Sequence, residues 1–173
     1  MSDTEQRIAE LERRLQEIED REAIREVIAR YGFTADLGYD DEYVAQYTED
    51  GEYDIGGGRV HRGHEELYEF IHNPLGGHKR YVEGRGSQHT SHNLIIRVDG
   101  DTAWAECYSV VFVRTGPHTF DIHTAAYNHW DFRRVDRRWR IRRRRRVPIG
   151  DAVQLPDGVS GRDVMTEFVG AVR

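Results

Sequence analysis

The chain has 173 residues, a net charge of −6 and a single cysteine. This length fits one domain with a substantial core, and the negative net charge disfavours a general binder of nucleic acid. The single cysteine excludes an internal disulfide and a thiolate zinc cage, which favours a reducing cytoplasm. Residues 1–20 are charged throughout and lack an apolar h-region, and no apolar run reaches about 18 residues, so we expect neither a signal peptide nor a membrane span.

Residues 4–32 are predicted to form one long helix. Apolar residues recur at alternating spacings of three and four at Ile8, Leu11, Leu15 and Ile18, and the stripe continues through Ile24 to Tyr31. Glu and Arg flank the first two heptads, which leaves open a short coiled coil, although an arm packed on its own or a sister subunit is the favoured interpretation. We therefore divide the chain into an N-terminal helical arm (1–20), a central domain (21–147) and a C-terminal tail (148–173) with a short helix at 161–169.

Helical and extended segments then follow in a definite order. A short helix is predicted at 41–47, a hairpin at 51–61 with its turn at 56–58, a helix at 63–72 and a loop at 75–85. Four extended runs come next, at 87–98, 102–115, 118–133 and 137–147, joined by tight turns that make neighbours antiparallel. Helices first and a long meander afterwards predict an α+β fold, in which a curved antiparallel sheet wraps around the N-terminal helices.

The first extended run combines polar and apolar residues. Alternation places His89 and Asn93 on one face and His92 on the other, so the two histidines cannot chelate one metal. With Asp99 and Gly100 as the hairpin loop, Asn93 opposes Glu106, Ser91 opposes Tyr108 and His89 opposes Val110. A histidine among small polar and aromatic residues predicts a ligand cavity, and the residues expected to line it are Asn93, Tyr108, His129, Tyr53 and Phe112.

Four segments together carry a family resemblance. They are the charged arm leading into residues 19–26, Tyr31 and Asp36 five residues apart, the run 89–103, and the closing strand at 139–141. The chain resembles the SnoaL-like family of the nuclear transport factor 2-like superfamily, a cone-shaped α+β fold. Within it, the bacterial bile acid 7α-dehydratases are most similar, and scytalone dehydratase and hexachlorocyclohexane dehydrochlorinase are more distant. The resemblance implies a homo-oligomer, either a trimer or a dimer.

The resemblance also implies roles for three residues. His89 would be a base, Asp36 its orienting partner, and Tyr31 a phenol directed at the substrate. A neutral imidazole suits proton abstraction near neutral pH, a carboxylate fixes its tautomer, and a phenol can polarise a carbonyl. The resulting hypothesis is a dehydratase or isomerase, without cofactor or metal, that acts on a hydrophobic cyclic ketone of steroid or polyketide type. The alternative is a non-catalytic small-molecule-binding protein in which Tyr31, Asp36 and His89 are structural.

Other clusters favour structural interpretations. The arginine run 142–146 could contact phosphates, but a strand would send alternate side chains to opposite faces, so pairing with carboxylates is favoured over nucleic-acid binding. A metal site built from His118, His123 and His129 is weaker than a lining role for His129. Solvent or pocket-rim positions are expected for the remaining histidines, His61, His64, His72 and His78.

Overall fold

The structure is a computed structural model that describes residues 2–83 and 86–149. Its helices are α1 (Asp3–Leu37), α2 (Asp40–Ala45), α3 (Gly63–His72) and α4 (Gly77–Tyr81). Its strands are β1 (Tyr47–Asp54), β2 (Val60–Arg62), β3 (Ser87–Asp99), β4 (Thr102–Arg114), β5 (Phe120–Val135) and β6 (Arg138–Pro148). The helix predicted at 161–169 lies outside the described residues.

The six strands form one sheet in the order β2-β1-β6-β5-β4-β3. Strands β3 to β6 form the predicted antiparallel meander, and β1 joins it by parallel pairing with β6. The helices cover the inner face of the sheet, where Trp130, Phe132 and Ile141 lie in the core beside residues of α1. The predicted α+β fold, a curved sheet around N-terminal helices, is confirmed.

Helix α1 is longer than its buried surface requires. A capping box begins it, in which Ser2 and Glu5 exchange hydrogen bonds, and Gly38 ends it with a left-handed φ of 72°. Its second half buries an apolar stripe against the domain, whereas the first half carries four exposed apolar side chains. The buried residues are Ile24, Ile28, Tyr31 and Ala35, and the exposed ones are Ile8, Leu11, Leu15 and Ile18.

The expected continuous stripe along α1 is wrong. At the helical angle of about 100° per residue, the exposed and the buried stripes point about 150° apart around the helix axis. The helix joins the sheet at Asp20, a 5% exposed residue whose carboxylate accepts hydrogen bonds from Arg134 Nη2 at 2.8 Å and Trp139 Nε1 at 3.0 Å. The first four turns therefore extend beyond the domain core.

The register of the β3–β4 hairpin differs from the predicted one. Asp99 pairs with Thr102, so the turn is formed by the two residues between them rather than by Asp99 and Gly100. An irregularity between His92 and Ile95 adds a second shift, and Asn93 there adopts a left-handed φ of 56°. Consequently His89 opposes Val111 instead of Val110. Such bulges interrupt the alternation on which a register prediction depends.

The segment predicted as a loop at 75–85 contains the short helix α4, which lies against the site described below. No helix in the described part of the chain combines the length and apolar character that crossing a membrane requires.

Candidate active site

A cavity of about 200 Å³ lies between the inner face of the sheet and helices α3 and α4. Its apolar wall includes Tyr53, Ile55, Phe70, Val82 and Val111. Its polar groups include three histidines, two arginines and two hydroxyls, namely His78, His89, His123, Arg144, Arg146, Ser109 and Thr124. An apolar wall with a few convergent polar groups is the usual composition of a small-molecule site.

A larger open groove, of about 1220 Å³, runs between α2, α3 and β2. Its polar lining is mainly acidic and includes Asp41, Glu65, Glu66 and Glu69. The groove does not include His89, so the smaller cavity is the candidate site.

His89, which lines the cavity, is tightly bonded to Asp36 behind it. Asp36 stands on the last turn of α1, and its Oδ1 accepts from His89 Nδ1 at 2.6 Å and from Ser87 Oγ at 2.6 Å. Its Oδ2 accepts from the backbone N–H of His89 at 2.7 Å. The carboxylate therefore fixes the Nδ1–H tautomer, and no described residue bonds to Nε2, which is left to accept a proton.

The environment of Asp36 keeps its carboxyl group ionised. Burial alone would raise its pKa, but the hydrogen bonds from His89 and Ser87 outweigh burial, so the pKa lies below its ordinary value. The two side chains of the dyad are only 13% and 12% exposed. A charged carboxylate in a site with little solvent holds the imidazole in one orientation.

Gly32 allows α1 to approach β3 closely enough for this pair to form. A Cβ placed at Gly32 would lie 3.3 Å from both the Cβ and the carbonyl oxygen of His89, which is tighter than ordinary van der Waals contact. Asp36 follows one turn later on the same helix, and it is therefore held within reach of the His89 ring.

Tyr31, the third predicted catalytic residue, lies next to the dyad. Its ring meets the His89 ring edge-on, with centroids 6.3 Å apart. However, its hydroxyl shares a 3.0 Å hydrogen bond with the Tyr43 hydroxyl, and Tyr31 is not part of the cavity wall. Burial raises the pKa of Tyr31, so it remains a phenol. The structure brings Tyr31 to the site and gives its hydroxyl a protein partner.

Arg144 is the main residue that the sequence analysis missed. It is 3% exposed, and its Nε and Nη2 donate to Asn128 Oδ1 at 3.0 and 2.7 Å. Its guanidinium carbon lies 4.4, 4.8 and 4.5 Å from the ring centroids of Tyr31, Tyr53 and Trp130. A guanidinium is always charged, yet no ion pair among the described residues involves Arg144. Its contacts are all with neutral groups, and a buried charge without a counter-ion is costly, which makes Arg144 a natural partner for a ligand oxyanion.

Strand alternation explains why the arginine run conceals this residue. Arg143 and Arg145 approach Glu52 and Asp54 of β1 at 3.6 and 3.5 Å. Arg144 and Arg146 line the cavity on the other side of the strand. Strand alternation could have predicted a buried arginine here, because a strand with five consecutive arginines must direct some of their side chains inward.

Of the five residues predicted to line the cavity, only Tyr53 does so. Tyr108 and Phe112 alternate with the inward residues Ser109 and Val111, and Tyr108 is 44% exposed on the outer face. Asn93 is exposed at the bulge. The predicted register placed these residues wrongly because it contained neither the shifted turn nor the bulge.

His129 lies on the outer face of the sheet as well, rather than in the cavity. Its Nδ1 is 3.4 Å from Glu106 Oε1, its Nε2 is 3.1 Å from Asp131 Oδ1, and its ring stacks on Trp104 with centroids 6.1 Å apart. His123, six residues earlier on the same strand, lines the cavity, so the two histidines do not form one site. Burial lowers the pKa of His129, but the two carboxylates outweigh it and raise the pKa to about 9.

His78 is a second histidine of the cavity, although a solvent or rim position was expected. It is 8% exposed, its Nε2 donates to the Ala35 carbonyl at 3.0 Å, and its ring centroid is 6.1 Å from that of His89. Burial lowers the pKa of His78, which favours the neutral ring. No sequence signal distinguished it from the other histidines outside the sheet.

A curved sheet that encloses a histidine–aspartate pair beneath its helices defines the chain as a protein of the nuclear transport factor 2-like fold with an interior cavity. The SnoaL-like domain model matches residues 16–145, and the chain belongs to that family.

Solved structures support the assignment. An NTF2-like protein with a cystatin-like fold from Novosphingobium aromaticivorans is 38% identical, covers 82% of this chain and 90% of its own, and has a TM-score of 0.75. A proposed scytalone dehydratase from the same organism is 20% identical over 79% of this chain and 97% of its own, with a TM-score of 0.65. A Catenulispora acidiphila protein in complex with S-DNPA is 21% identical over 73% of this chain and 90% of its own, with a TM-score of 0.63. Among curated proteins, none matches the chain.

Proposed function

We propose that the chain is a cofactor-independent dehydratase or isomerase that removes a proton next to the carbonyl of a hydrophobic cyclic ketone. The observation that carries the proposal is the 2.6 Å bond between His89 Nδ1 and Asp36 Oδ1 at the wall of a cavity that combines apolar and polar side chains. This geometry supports His89 Nε2 as the base and Asp36 as the group that orients it. The solved relative described as a proposed scytalone dehydratase is consistent with a carbon–oxygen lyase, as is the resemblance to bile acid 7α-dehydratases.

The electron pair released by proton removal needs a partner at the carbonyl oxygen. Arg144 fits this role better than Tyr31, because Arg144 lines the cavity and lacks a counter-ion among the described residues, whereas the Tyr31 hydroxyl is bonded to Tyr43. We assign the enolate oxygen to Arg144 and give Tyr31 the role of supporting the guanidinium with its ring face. Removal of such a preorganised donor typically costs about 3 kcal/mol of transition-state stabilisation.

The proton can leave His89 in two ways. In a dehydration, the enolate re-forms the carbonyl and expels a β-hydroxyl group, which takes the proton from the imidazolium and departs as water. In an isomerisation, the imidazolium returns the proton to a different carbon of the same ring system. Neither route requires a redox step or a metal.

The size of the cavity narrows the substrate class. Its volume of about 200 Å³ lies below the roughly 300–1,000 Å³ of typical ligand pockets. We therefore propose a substrate of one or two rings, closer to a small polyketide than to a steroid, with a carbonyl group facing the arginines.

Proton exchange tests the chemistry without knowledge of the leaving group. Small cyclic ketones are incubated with the chain in D₂O, and NMR follows exchange at the carbon beside the carbonyl. We expect His89→Gln to slow exchange by about 100-fold, since general bases contribute about that much or more. Arg144→Met should have a similar effect, while His92→Gln and Arg145→Met, which alter the outer face, serve as matched controls.

Two outcomes would contradict the proposal. If exchange is equally fast with wild type and with His89→Gln, His89 is not the general base. Tight binding of the ketones with no exchange by any variant supports the alternative, a small-molecule-binding protein without turnover.

We also propose that the chain forms a homo-oligomer, a trimer or a dimer, in the cytoplasm. The outer face of the sheet exposes Tyr108, Phe120 and Ile122, and apolar groups of this size on one face usually meet a partner. The buried free thiol of Cys107 fits a reducing compartment. Sedimentation of the wild type and of Ile122→Asp tests the oligomer, and a monomeric wild type would contradict it.

A further inference from the structure

The first four turns of α1 carry an apolar stripe that no described residue covers. Ile8, Leu11, Leu15 and Ile18 are 51–62% exposed, and they recur with the a and d spacing of two heptads. The stripe that packs on the domain lies about 150° away around the same helix, so the exposed stripe is not an extension of the core.

The charged residues on the two sides of this stripe have opposite signs. With Ile8 and Leu15 at a, the g positions are arginines, Arg7 and Arg14, and the e positions that follow are glutamates, Glu12 and Glu19. In a parallel coiled coil, a g residue of one helix faces the e residue of the next heptad on its partner. The opposed pairs are then Arg7 with Glu12 and Arg14 with Glu19, all attractive. An antiparallel pair would place like charges together.

These four charges take part in no ion pair within the described part of the chain. Outward-facing Glu10, Arg13 and Glu17 form ion pairs along their own helix. No ion pair among the described residues includes Arg7, Glu12, Arg14 or Glu19. The four charges at the proposed seam thus form no ion pair along their own helix, whereas the outward-facing charges do.

We propose that this arm, residues 3–19 of α1, forms a parallel, in-register coiled coil with the same arm of a second copy of the chain. The geometry leaves room for both domains, because each domain packs on the side of α1 that faces away from the seam. The proposal is independent of the chemistry assigned to the cavity. It also differs from oligomer formation through the sheet, which uses other residues.

Disulfide cross-linking of the full-length chain tests the register. In a parallel, in-register coil the two Leu11 side chains meet, so Leu11→Cys should form an intermolecular disulfide on mild oxidation. Glu10→Cys is the matched control, because it is a neighbouring exposed position that points away from the seam. We expect it to cross-link at least about tenfold more slowly. The native thiol, Cys107, is buried in the domain, and none of the substitutions is in the domain core.

Reversing the charges at the g or e positions tests whether the partner of the arm is a second copy of the same arm. An acidic arm carries Arg7→Glu with Arg14→Glu, and a basic arm carries Glu12→Arg with Glu19→Arg. Each should self-associate at least about tenfold more weakly than wild type in sedimentation equilibrium, and a mixture of the two should recover the wild-type affinity. All substitutions are on exposed helix surface, and an unchanged circular dichroism spectrum verifies the fold.

Three results would overturn the proposal. They are cross-linking at Glu10→Cys as fast as at Leu11→Cys, a mixture of acidic and basic arms that associates no better than either alone, and a Leu11→Cys chain that stays monomeric with its thiol protected from reagents. The last result would show that the stripe is covered within one chain.

Discussion

The stability of the fold should depend on pH through His129. In the folded chain, Glu106 and Asp131 raise the pKa of this histidine from 6.5 to about 9. The folded state therefore holds the proton more tightly than the unfolded state, and the contribution is complete below pH 6.5 and lost as pH rises through 9. At about 1.36 kcal/mol per pH unit, the difference corresponds to about 3 kcal/mol of unfolding free energy. Glu106 is only 6% exposed, but Asp131 is 39% exposed, so solvent screens the Asp131 contact and about 3 kcal/mol is an upper bound.

The perturbation is His129→Gln, whose amide can still donate to Glu106 but does not titrate. Urea unfolding is followed by tryptophan fluorescence at several values between pH 6.5 and 9. We expect the wild type to lose up to about 3 kcal/mol more than the variant over this range. His92→Gln is the matched control, because His92 is exposed on the same face and forms no ion pair with a carboxylate among the described residues.

The refuting result is a His129→Gln chain with the same pH dependence as wild type. Titration of the Cys107 thiol does not affect the comparison between wild type and His129→Gln. Burial raises the pKa of its thiol, but it titrates alike in both chains and cancels in the difference.

Three other positions carry predictions. Asp20→Ala leaves the buried Trp139 Nε1–H without its acceptor and removes one of the two carboxylates that Arg134 contacts, so it should cost about 2 kcal/mol in urea unfolding; a loss below about 0.5 kcal/mol would contradict the anchor assigned to Asp20. Gly32→Ala gains up to about 1 kcal/mol of helix propensity but crowds His89, so the free energy of unfolding should change little. The NMR resonance of the His89 Nδ1 proton should shift, and an unchanged resonance would contradict the close contact. Arg144→Met leaves the buried Asn128 Oδ1 without its two donors and removes three cation–π contacts, so it should lower the melting temperature of the ligand-free chain; an unchanged or higher melting temperature would contradict this.

Elements with strong periodicity were predictable from the sequence. Helix α1 and the meander of four strands follow from helical spacing and from turn residues. The register of β3 was not predictable, because Asn93 is one of the few residue types that adopt a left-handed conformation, and alternation does not reveal where this happens. One bulge sufficed to move Tyr108 from the expected inner face to the outer face.

The site was predictable only in part. Asp36 and His89 are 53 residues apart, and periodicity places each on its own element without bringing them together. Their pairing was expected from the family resemblance, and the close approach at Gly32 provides its physical basis. Arg144 was hidden because five adjacent arginines look equivalent in sequence, although burial separates one from its neighbours.

Helix α1 is one continuous helix that joins the arm to the candidate site. Asp20, where the helix is bonded to the sheet, lies between the two as a pivot. From Asp20 to Asp36 the helix runs 16 residues, or about 24 Å along its axis. A tilt of about 2° at the pivot would move Asp36 by nearly 1 Å, and a misplacement of about that size at a catalytic group can cost about 100-fold in rate. The buried side chains between Asp20 and Asp36, namely Ile24, Ile28, Tyr31 and Ala35, hold α1 against such a tilt, so the packing of this half of the helix also fixes the distance between Asp36 and His89.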